Sequence, residues 1–290
     1  MAKEYEQLVI SDDFMYGKVT EDLLLTKEML EVATERTIEE ISYAENQKII
    51  RGTVEGKDVR FDSYVEDQDK VSYDSEMHNR GTEDTKANPQ LPKRSRYYQG
   101  MIDVSNLQSG SSYRDLRRSY IIFFCTFDPF GQGLSKYTFE NMCREQSNLP
   151  LNDECVKIFF NTKGKNREQL TEKQDNLLRY VESGEIRDDF TRRLDNKVKE
   201  VRQNKNWRRE YMKTITHDQD IRDEERAKVA AEIEELRAKA EEERAKAEEE
   251  RAKSTAIIEA QQDELKAKQD EIASLKAQLA AMKQNENNKE

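Results

Sequence analysis

The apolar residues in the first two-thirds of the chain are spaced as strands that alternate with helices. Residues 120–127 form a continuous apolar run that ends in a turn-like segment at 128–131, a pattern typical of a fully buried central strand. The segments "KYTFENMC" (136–143) and "CVKIFFNT" (155–162) predict two further strands. Together with the helices described next, they predict an α/β or α+β domain with a mixed sheet.

Helical spacing precedes and follows these strands. Pro89 and Pro92 predict the start of a helix. Its predicted apolar side consists of Tyr97, Met101, Val104 and Leu107. Apolar residues also recur at helical intervals between 169 and 212. The stretch 191–213 is strongly basic, and we interpret it as an amphipathic helix with a solvated cationic face rather than as a nucleic-acid contact. Trp207 is interpreted as a packing residue rather than a stacking platform for a base.

A hairpin is predicted between residues 59 and 78. Residues 59–65 and 71–78 each alternate apolar and polar side chains, and the segment 66–70 between them is short and polar. Since side chains of a strand alternate, Asp74, Glu76 and His78 share one face, and Asp62 converges on Glu76 if the polar faces of the two strands coincide.

Two converging carboxylates repel each other unless one is protonated or a cation lies between them. Hard oxygen ligands favour Mg²⁺ or Mn²⁺ over zinc, and a chain with only His78 and His217 offers little to a histidine-rich zinc site. The alternative for Asp62 and Glu76 is a solvated polar face of the hairpin. No phosphate-binding GxxxxGK[ST] loop occurs, which argues against an intrinsic NTPase.

The last part of the chain differs in composition from the rest. From about residue 218 it consists almost entirely of Ala, Glu, Lys, Arg and Gln, and the heptapeptide RAKAEEE at 237–243 is repeated at 244–250. An identical seven-residue repeat of strong helix formers predicts one long helix. Its first heptad register has a weak core, with Ile233 followed at the same position by Ala240, Ala247 and Ser254.

A second heptad register begins four residues after Ser254. It places Ile258, Leu265, Ile272 and Leu279 at position a, so that a stutter separates the two registers. We expect this later seam to form a homo-oligomeric coiled coil. The alternative is a monomeric charged helix held by pairs such as Glu242 with Lys246.

The overall charge and the cysteines limit the classes of function. The chain is 290 residues long with a net charge of −11, which argues against indiscriminate coating of nucleic acid but leaves room for a local basic site. Cys125, Cys143 and Cys155 are an odd number in apolar surroundings and are expected to be reduced, buried thiols of a cytosolic protein. Without a long uncharged apolar run, neither secretion nor a membrane span is expected.

Several separated stretches together resemble the PD-(D/E)XK nuclease family transposases, which are related to the recombination-promoting nucleases of bacteria. The stretches lie in a consistent order between about Leu8 and Met212, and the tail lies outside them. They are "SDDFMYGKV", "VRFDSYVEDQDKVSYDSEMH", "LPKRSRYYQGMID", "SYIIFFCTFDPFG" with "KYTFENMC", and "NKNWRREYM". The resemblance implies a restriction-endonuclease-like fold, in which a mixed central sheet is flanked by helices and metal ligands lie on a bent hairpin.

The resemblance also implies roles for single residues. Asp62 resembles the first catalytic aspartate of the family and Glu76 its second acid, and the backbone carbonyl of Met77 would complete the Mg²⁺ shell. His78 stands where the wider superfamily has lysine and this branch has glutamine, and an imidazole can orient water, exchange a proton or bind the metal. Asp13 resembles an acidic position of the N-terminal motif that reaches the same site.

The segment with Arg94, Tyr97 and Tyr98 matches an "R…YY" motif of the family. For these three residues, contact with a DNA phosphate and plain packing of the helix stay open as alternatives.

These observations lead to one expected function and one rival. We expect a cytoplasmic, Mg²⁺-dependent DNA endonuclease that promotes recombination, with Mn²⁺ able to substitute and the C-terminal coiled coil making a homo-oligomer. The expected division is a nuclease core at 1–168, a helical extension at 169–217 packed on it, and a charged coiled coil at 218–290. The rival is a catalytically inactive nuclease fold that acts as an oligomeric interaction scaffold.

Overall fold

The computed structural model describes the backbone of residues 3–51, 58–79, 90–107 and 109–287, and all of these side chains except those of 218 and 278–287. Six helices and eight strands lie in this part of the chain. The helices are α1 (Asp13–Val19), α2 (Leu23–Thr34), α3 (Leu91–Asn106), α4 (Glu172–Ser183), α5 (Asp189–Gln203) and α6 (Lys205–Asn287). The strands are β1 (Ile41–Asn46), β2 (Ile49–Ile50), β3 (Val59–Arg60), β4 (Ser63–Asp67), β5 (Ser72–His78), β6 (Ser119–Cys125), β7 (Lys136–Phe139) and β8 (Cys155–Asn161).

Six of the strands form one mixed sheet in the order β1-β4-β5-β6-β8-β7. The central pairs β5–β6 and β6–β8 are parallel, whereas β1–β4, β4–β5 and β7–β8 are antiparallel. All seven residues of β6 are buried, as its apolar sequence predicts for a central strand. The α/β class, the mixed sheet and the long C-terminal helix are therefore confirmed.

The two faces of the sheet are covered by different helices. One apolar cluster joins a face of the sheet to residues of α1, α2, α4 and α5, including Tyr73 and Met77 of β5. A second cluster joins the opposite face to α3, through Tyr98, Met101 and Ile102. Every even-numbered side chain of β5 therefore projects toward the α3 side.

The hairpin is present, but its first arm is bent. β4 and β5 pair with Tyr64 opposite Asp74, and the Asp67 carboxylate accepts hydrogen bonds from the backbone of Asp69 and Val71 in the turn. The prediction of one continuous strand over 59–65 is wrong, because the chain leaves β3 at Phe61 and enters β4 only at Ser63. This break places Asp62 at the entrance of β4.

The predicted apolar side of α3 is wrong in part. Val104 is exposed and Tyr97 is half-exposed, whereas Leu91, Tyr98 and Ile102 are buried. The register is rotated because α3 buries polar residues as well, among them Gln99, whose amide donates to the Ser119 hydroxyl of β6. Pro92 lies in the first turn, and Pro89 lies outside the described residues.

The helices that follow the sheet begin at capping boxes, with Thr171 before α4 and Asp188 before α5. Both helices contribute to the first apolar cluster. Trp207 packs against that cluster at the start of α6, as predicted, and the ammonium of Lys197 lies 5.7 Å from the centroid of its indole.

By its internal contacts the chain divides into two units, 1–215 and 216–290. In the second unit, α6 continues without a break as far as Asn287. The repeated heptads form i,i+4 ion pairs at N–O distances of 2.5–2.6 Å, in which Lys239, Lys246 and Lys253 each contact a glutamate one turn earlier. Ile258, Leu265 and Ile272 of the later seam are exposed, and the side chain of Leu279 lies outside the described residues.

The three cysteines are free thiols, as expected, but only Cys125 is buried; Cys143, which follows β7, and Cys155, the first residue of β8, are partly exposed. None of the helices in the described part of the chain combines the length and the apolar character needed to cross a membrane.

Candidate functional site

Two backbone hydrogen bonds bring Asp62 and Glu76 together. The Asp62 N–H donates to Glu76 Oε1 at 2.8 Å, and the Met77 N–H donates to Asp62 Oδ2 at 3.2 Å. The Glu76 carboxylate therefore binds the backbone of Asp62, and the Asp62 carboxylate binds the backbone of the residue that follows Glu76. The bend between β3 and β4 makes this possible, because it frees the Asp62 N–H from the sheet and turns it toward β5.

Arg94 occupies the second oxygen of Glu76. Its Nη2 donates to Glu76 Oε2 at 2.8 Å, and its Nε donates to the Tyr98 hydroxyl at 2.6 Å. The Glu76 side chain is only 1% exposed, whereas that of Arg94 is 37% exposed. A buried carboxylate that loses such a partner is left uncompensated, a loss that typically costs about 3–5 kcal/mol. Arg94 therefore balances the charge of Glu76 from α3.

Asp74 is a third carboxyl group on this face, which the sequence analysis placed beside Glu76 without giving it a role. It is fully buried, and no N–H or O–H group of the described residues donates to either of its oxygens. Burial and then the charges of Glu76 and Asp62 raise the pKa of Asp74 well above its usual range. A neutral Asp74 has one available partner here, because its O–H can donate to the Glu76 carboxylate.

The ionisation of the two central acids is shifted in the same direction. Burial, followed by the charge of Asp13, raises the pKa of Asp62 to about 6. Burial, followed by the charge of Asp62, raises the pKa of Glu76 to about 8, although Arg94 and the Asp62 N–H act against the shift. Carboxyl groups held together with raised pKa values are typical of sites that bind a cation or transfer protons.

Asp13 lies at the first position of α1, close enough for its charge to act on Asp62. Its own pKa is raised by burial and by Asp12, while Arg94 and Arg60 lower it. Asp13 therefore acts on Asp62 through its charge, and its role in the site stays a prediction.

A cleft of about 730 Å³ is lined by Asp62 among these carboxyl groups, and we call it the carboxylate cleft. His78 and Tyr97 both line it, and Tyr97 is 40% exposed at its rim. Tyr98 also lines it but packs edge-on against Phe61 at 5.1 Å, so that packing is one of its roles. The lining residues are Asp58, Val59, Arg60, Asp62, His78, Gln90, Leu91, Lys93, Arg94, Tyr97 and Tyr98.

The cleft contains two cations that the sequence analysis did not single out. Arg60 lies on β3, whereas Lys93 and Arg94 lie on α3. Arg60 also acts on Asp62, since its charge lowers the pKa of that carboxyl. The position of Arg60 two residues before Asp62 was the available signal, but a lone arginine on a strand is more often a solvated residue.

The oxygen donors around Asp62 and Glu76 determine which divalent cation fits this site. No group of three or more His, Cys, Asp or Glu side chains is arranged to hold a metal ion within the described ranges. Mg²⁺ needs fewer, because it is usually held by one or two carboxylates together with waters and substrate phosphates. Asp62 and the adjacent Glu76 supply carboxylate oxygens, which fit Mg²⁺ or Mn²⁺ better than zinc.

The chain matches no protein-family model, no curated protein and no solved structure. The resemblance to PD-(D/E)XK nuclease family transposases therefore stays a prediction that rests on the motifs themselves.

Proposed function

We propose that the protein is a Mg²⁺-dependent DNA endonuclease of the transposase-like PD-(D/E)XK type, with a restriction-endonuclease-like fold and a role in DNA recombination. The observation that carries the proposal is the pair Asp62 and Glu76, joined by backbone hydrogen bonds, with Asp62 lining a cleft that Arg60, Lys93 and Arg94 also line. Such a pair costs free energy in a metal-free protein, and a divalent cation with a phosphodiester relieves that cost.

The residues in and beside the cleft have separate roles in phosphodiester hydrolysis. Asp62, Glu76 and the Met77 carbonyl hold Mg²⁺, which when bound activates a water and neutralises charge on the phosphate. Arg60 of β3 and Lys93 of α3 bind the phosphate.

The remaining residues position these groups. Arg94 neutralises and orients Glu76, and His78 orients the attacking water from the cleft wall. Asp13 adds negative charge beside Asp62, which favours cation binding.

A plasmid-nicking assay tests this function. Purified protein should nick supercoiled DNA with Mg²⁺ or Mn²⁺ but not with Ca²⁺ or EDTA, and Asp62→Asn should be inactive. Asp69→Asn in the hairpin turn is the matched control, since it removes a carboxylate of the same hairpin far from the cleft, and it should cleave normally. Activity that persists in Asp62→Asn, or in EDTA, contradicts the proposal.

The second candidate is a catalytically inactive scaffold, and one observation favours it. Both Glu76 oxygens already bind protein N–H groups, from Asp62 and Arg94, so that the acid is charge-balanced without a metal. Function would then lie in the exposed seam of α6, where Ile258, Leu265 and Ile272 repeat every seven residues. Nicking by the wild type that is lost in Asp62→Asn excludes it.

Oligomerisation through this seam is part of both candidates. Truncation after Ser254 should lower the mass in sedimentation velocity while the core still melts cooperatively. Leu265→Lys should do the same, whereas Gln262→Lys, off the a/d positions, is the matched control and should keep the mass of the wild type. An unchanged mass after truncation contradicts the coiled coil.

The proposal places the protein in the cytoplasm, where its DNA substrate lies and where the free thiols of its three cysteines stay reduced.

A further inference from the structure

A second cavity lies on the α3 side of the sheet, and the proposed hydrolysis does not use it. It encloses about 250 Å³ between the first turns of α3, the edge strand β7 and its neighbour β8. We call it the phenylalanine cavity. Its lining residues are Pro92, Ser95, Phe130, Phe139, Glu140, Asn141, Cys155, Lys157 and Phe159.

Three phenylalanine rings form its apolar wall. The Phe130 centroid lies 5.0 Å from that of Phe139 and 5.1 Å from that of Phe159. Phe159 is buried at the floor, whereas Phe139 is 44% exposed on β7. A half-exposed phenylalanine inside a concave site leaves its ring available to an incoming planar group, since aromatic rings favour stacked or edge-on contacts.

The polar residues of the phenylalanine cavity distinguish it from the carboxylate cleft. One acidic residue, Glu140, and one basic residue, Lys157, leave its lining without net charge. The carboxylate cleft has three cationic side chains against two carboxylates. The cavity therefore suits an uncharged planar group with polar edges, which Asn141 and Lys157 can contact, whereas the cleft suits an anion.

The two sites lie on neighbouring sides of the same two helical turns. Pro92 and Ser95 of α3 line the cavity, and Leu91, Arg94 and Tyr98 line the cleft. A helix with its side chains is about 10–12 Å across. That distance corresponds to about three nucleotides at the 3.4 Å rise of a B-form strand. One strand can therefore reach both sites.

We infer that the phenylalanine cavity binds a single unstacked nucleobase of a DNA strand whose phosphate lies in the carboxylate cleft. The inference rests on the proposed function, since it requires DNA in that cleft. The base leaves its stack, enters between Phe139 and the α3 residues, and stacks on the ring, with its polar edge toward Lys157. Single strands and locally opened duplexes then bind better than intact duplex.

Equilibrium binding in EDTA tests the inference without any cleavage. The probes are a fluorescein-labelled oligothymidylate and an abasic oligomer with the same sugar–phosphate backbone, followed by fluorescence anisotropy. Phe139→Leu keeps apolar volume but removes the π-face, and it should weaken oligothymidylate binding about tenfold while leaving abasic binding unchanged. Phe139→Trp, which keeps an aromatic ring, should bind oligothymidylate as the wild type does. Tyr113→Leu is the control, because Tyr113 is 84% exposed and lies outside both linings.

Lys157→Gln provides a second variant should Phe139→Leu melt early. It should weaken oligothymidylate severalfold and spare the abasic oligomer. Equal losses on both oligomers, no loss in either variant, or no preference of the wild type for oligothymidylate would overturn the inference. Nicking by the same preparations is scored separately: nicking without Phe139-dependent binding removes only this inference, and Phe139-dependent binding without nicking removes only the proposed function.

Discussion

The two faces of β5 lie in contrasting surroundings although they belong to the same seven residues. Tyr73 and Met77 project into an apolar cluster covered by four helices, where Tyr73 stacks on Tyr120 at 5.3 Å. Asp74 and Glu76 project the other way, equally buried but under α3 alone. The first face stabilises the fold by burying apolar area. The second carries carboxyl groups whose burial costs free energy, and groups of this kind concentrate at functional sites.

Isosteric substitution of the carboxylates is the strongest test of the difference between the two faces of β5. Glu76→Gln or Asp62→Asn should reduce Mg²⁺-dependent cleavage by at least ~10³-fold, because a neutral amide neither neutralises nor places the cation. Glu76→Gln can still accept from the Asp62 N–H, so its circular dichroism spectrum should match that of the wild type. The measurement is the nicking rate at equal folded concentration; normal rates in both variants would show that this face is merely structural.

Met77 tests the apolar face, because its side chain lies in the apolar cluster whereas its backbone carbonyl is a predicted Mg²⁺ ligand. Met77→Ala opens a cavity in the apolar cluster and should lower the free energy of unfolding by about 2–5 kcal/mol. The carbonyl predicted to complete the Mg²⁺ shell is unchanged, so the nicking rate below the melting temperature should be close to that of the wild type. Met77→Leu, which conserves volume, is the control and should cost less than ~1.5 kcal/mol. Lost cleavage in a folded Met77→Ala protein would contradict the division between faces.

His78 ends the polar face at the edge of the cleft, and its contribution should be smaller. Its ring centroid lies 5.8 Å from that of Phe127, so packing and chemistry both involve it. His78→Ala should lower the cleavage rate about 10²-fold, the usual scale of one positioned acid–base group, whereas His78→Gln should retain or raise it because an amide also orients water. Equal losses in both variants, measured by nicking, would assign His78 to packing alone.

The sequence was sufficient to predict which side chains of β5 share a face, but not how deeply the polar face is buried. Alternation predicted that Asp62 and Glu76 converge if the polar faces of the two strands coincide, and a continuous apolar run predicted the buried central strand β6. It could not predict that Asp74 is fully buried, because a polar residue in an alternating hairpin reads equally well as solvated. That burial depends on α3, which crosses the face and supplies Arg94 from 18 residues further along the chain.

The errors in α3 and at β3–β4 have the same origin. The apolar residues of α3 predicted Val104 as buried, but the helix is rotated by the polar contacts that Arg94 and Gln99 make with the sheet. The hairpin arm was predicted as continuous, but the strand breaks at Phe61–Asp62, where the Asp62 N–H donates to the Glu76 carboxylate. Local propensity fails where a tertiary polar contact decides the conformation.

The pH dependence of stability is the smallest expected effect, and it bears on the polar face directly. Asp62, with a pKa of about 6, and Glu76, with a pKa of about 8, both lie above their ordinary values of 3.8 and 4.5. Between pH ~4.5 and 8 the folded state therefore binds more protons than the unfolded state, so the free energy of unfolding falls as pH rises through this window. Asp128, Asp175 and Asp188 have lowered pKa values, so they change the free energy of unfolding only at pH values below this window.

In EDTA, the melting temperature followed by circular dichroism should decline by several degrees from pH 5 to pH 8. Glu76→Gln does not titrate, so its decline should be shallower. Added Mg²⁺ at pH 8 should raise the melting temperature of the wild type more than that of the variant, because only the wild type gains a ligated cation. Asp69→Asn should follow the wild type throughout. A wild-type melting temperature that is level or rises over this window would mean that the carboxyl groups under α3 are already compensated within the protein, and the two faces of β5 would then differ in polarity but not in energetic cost.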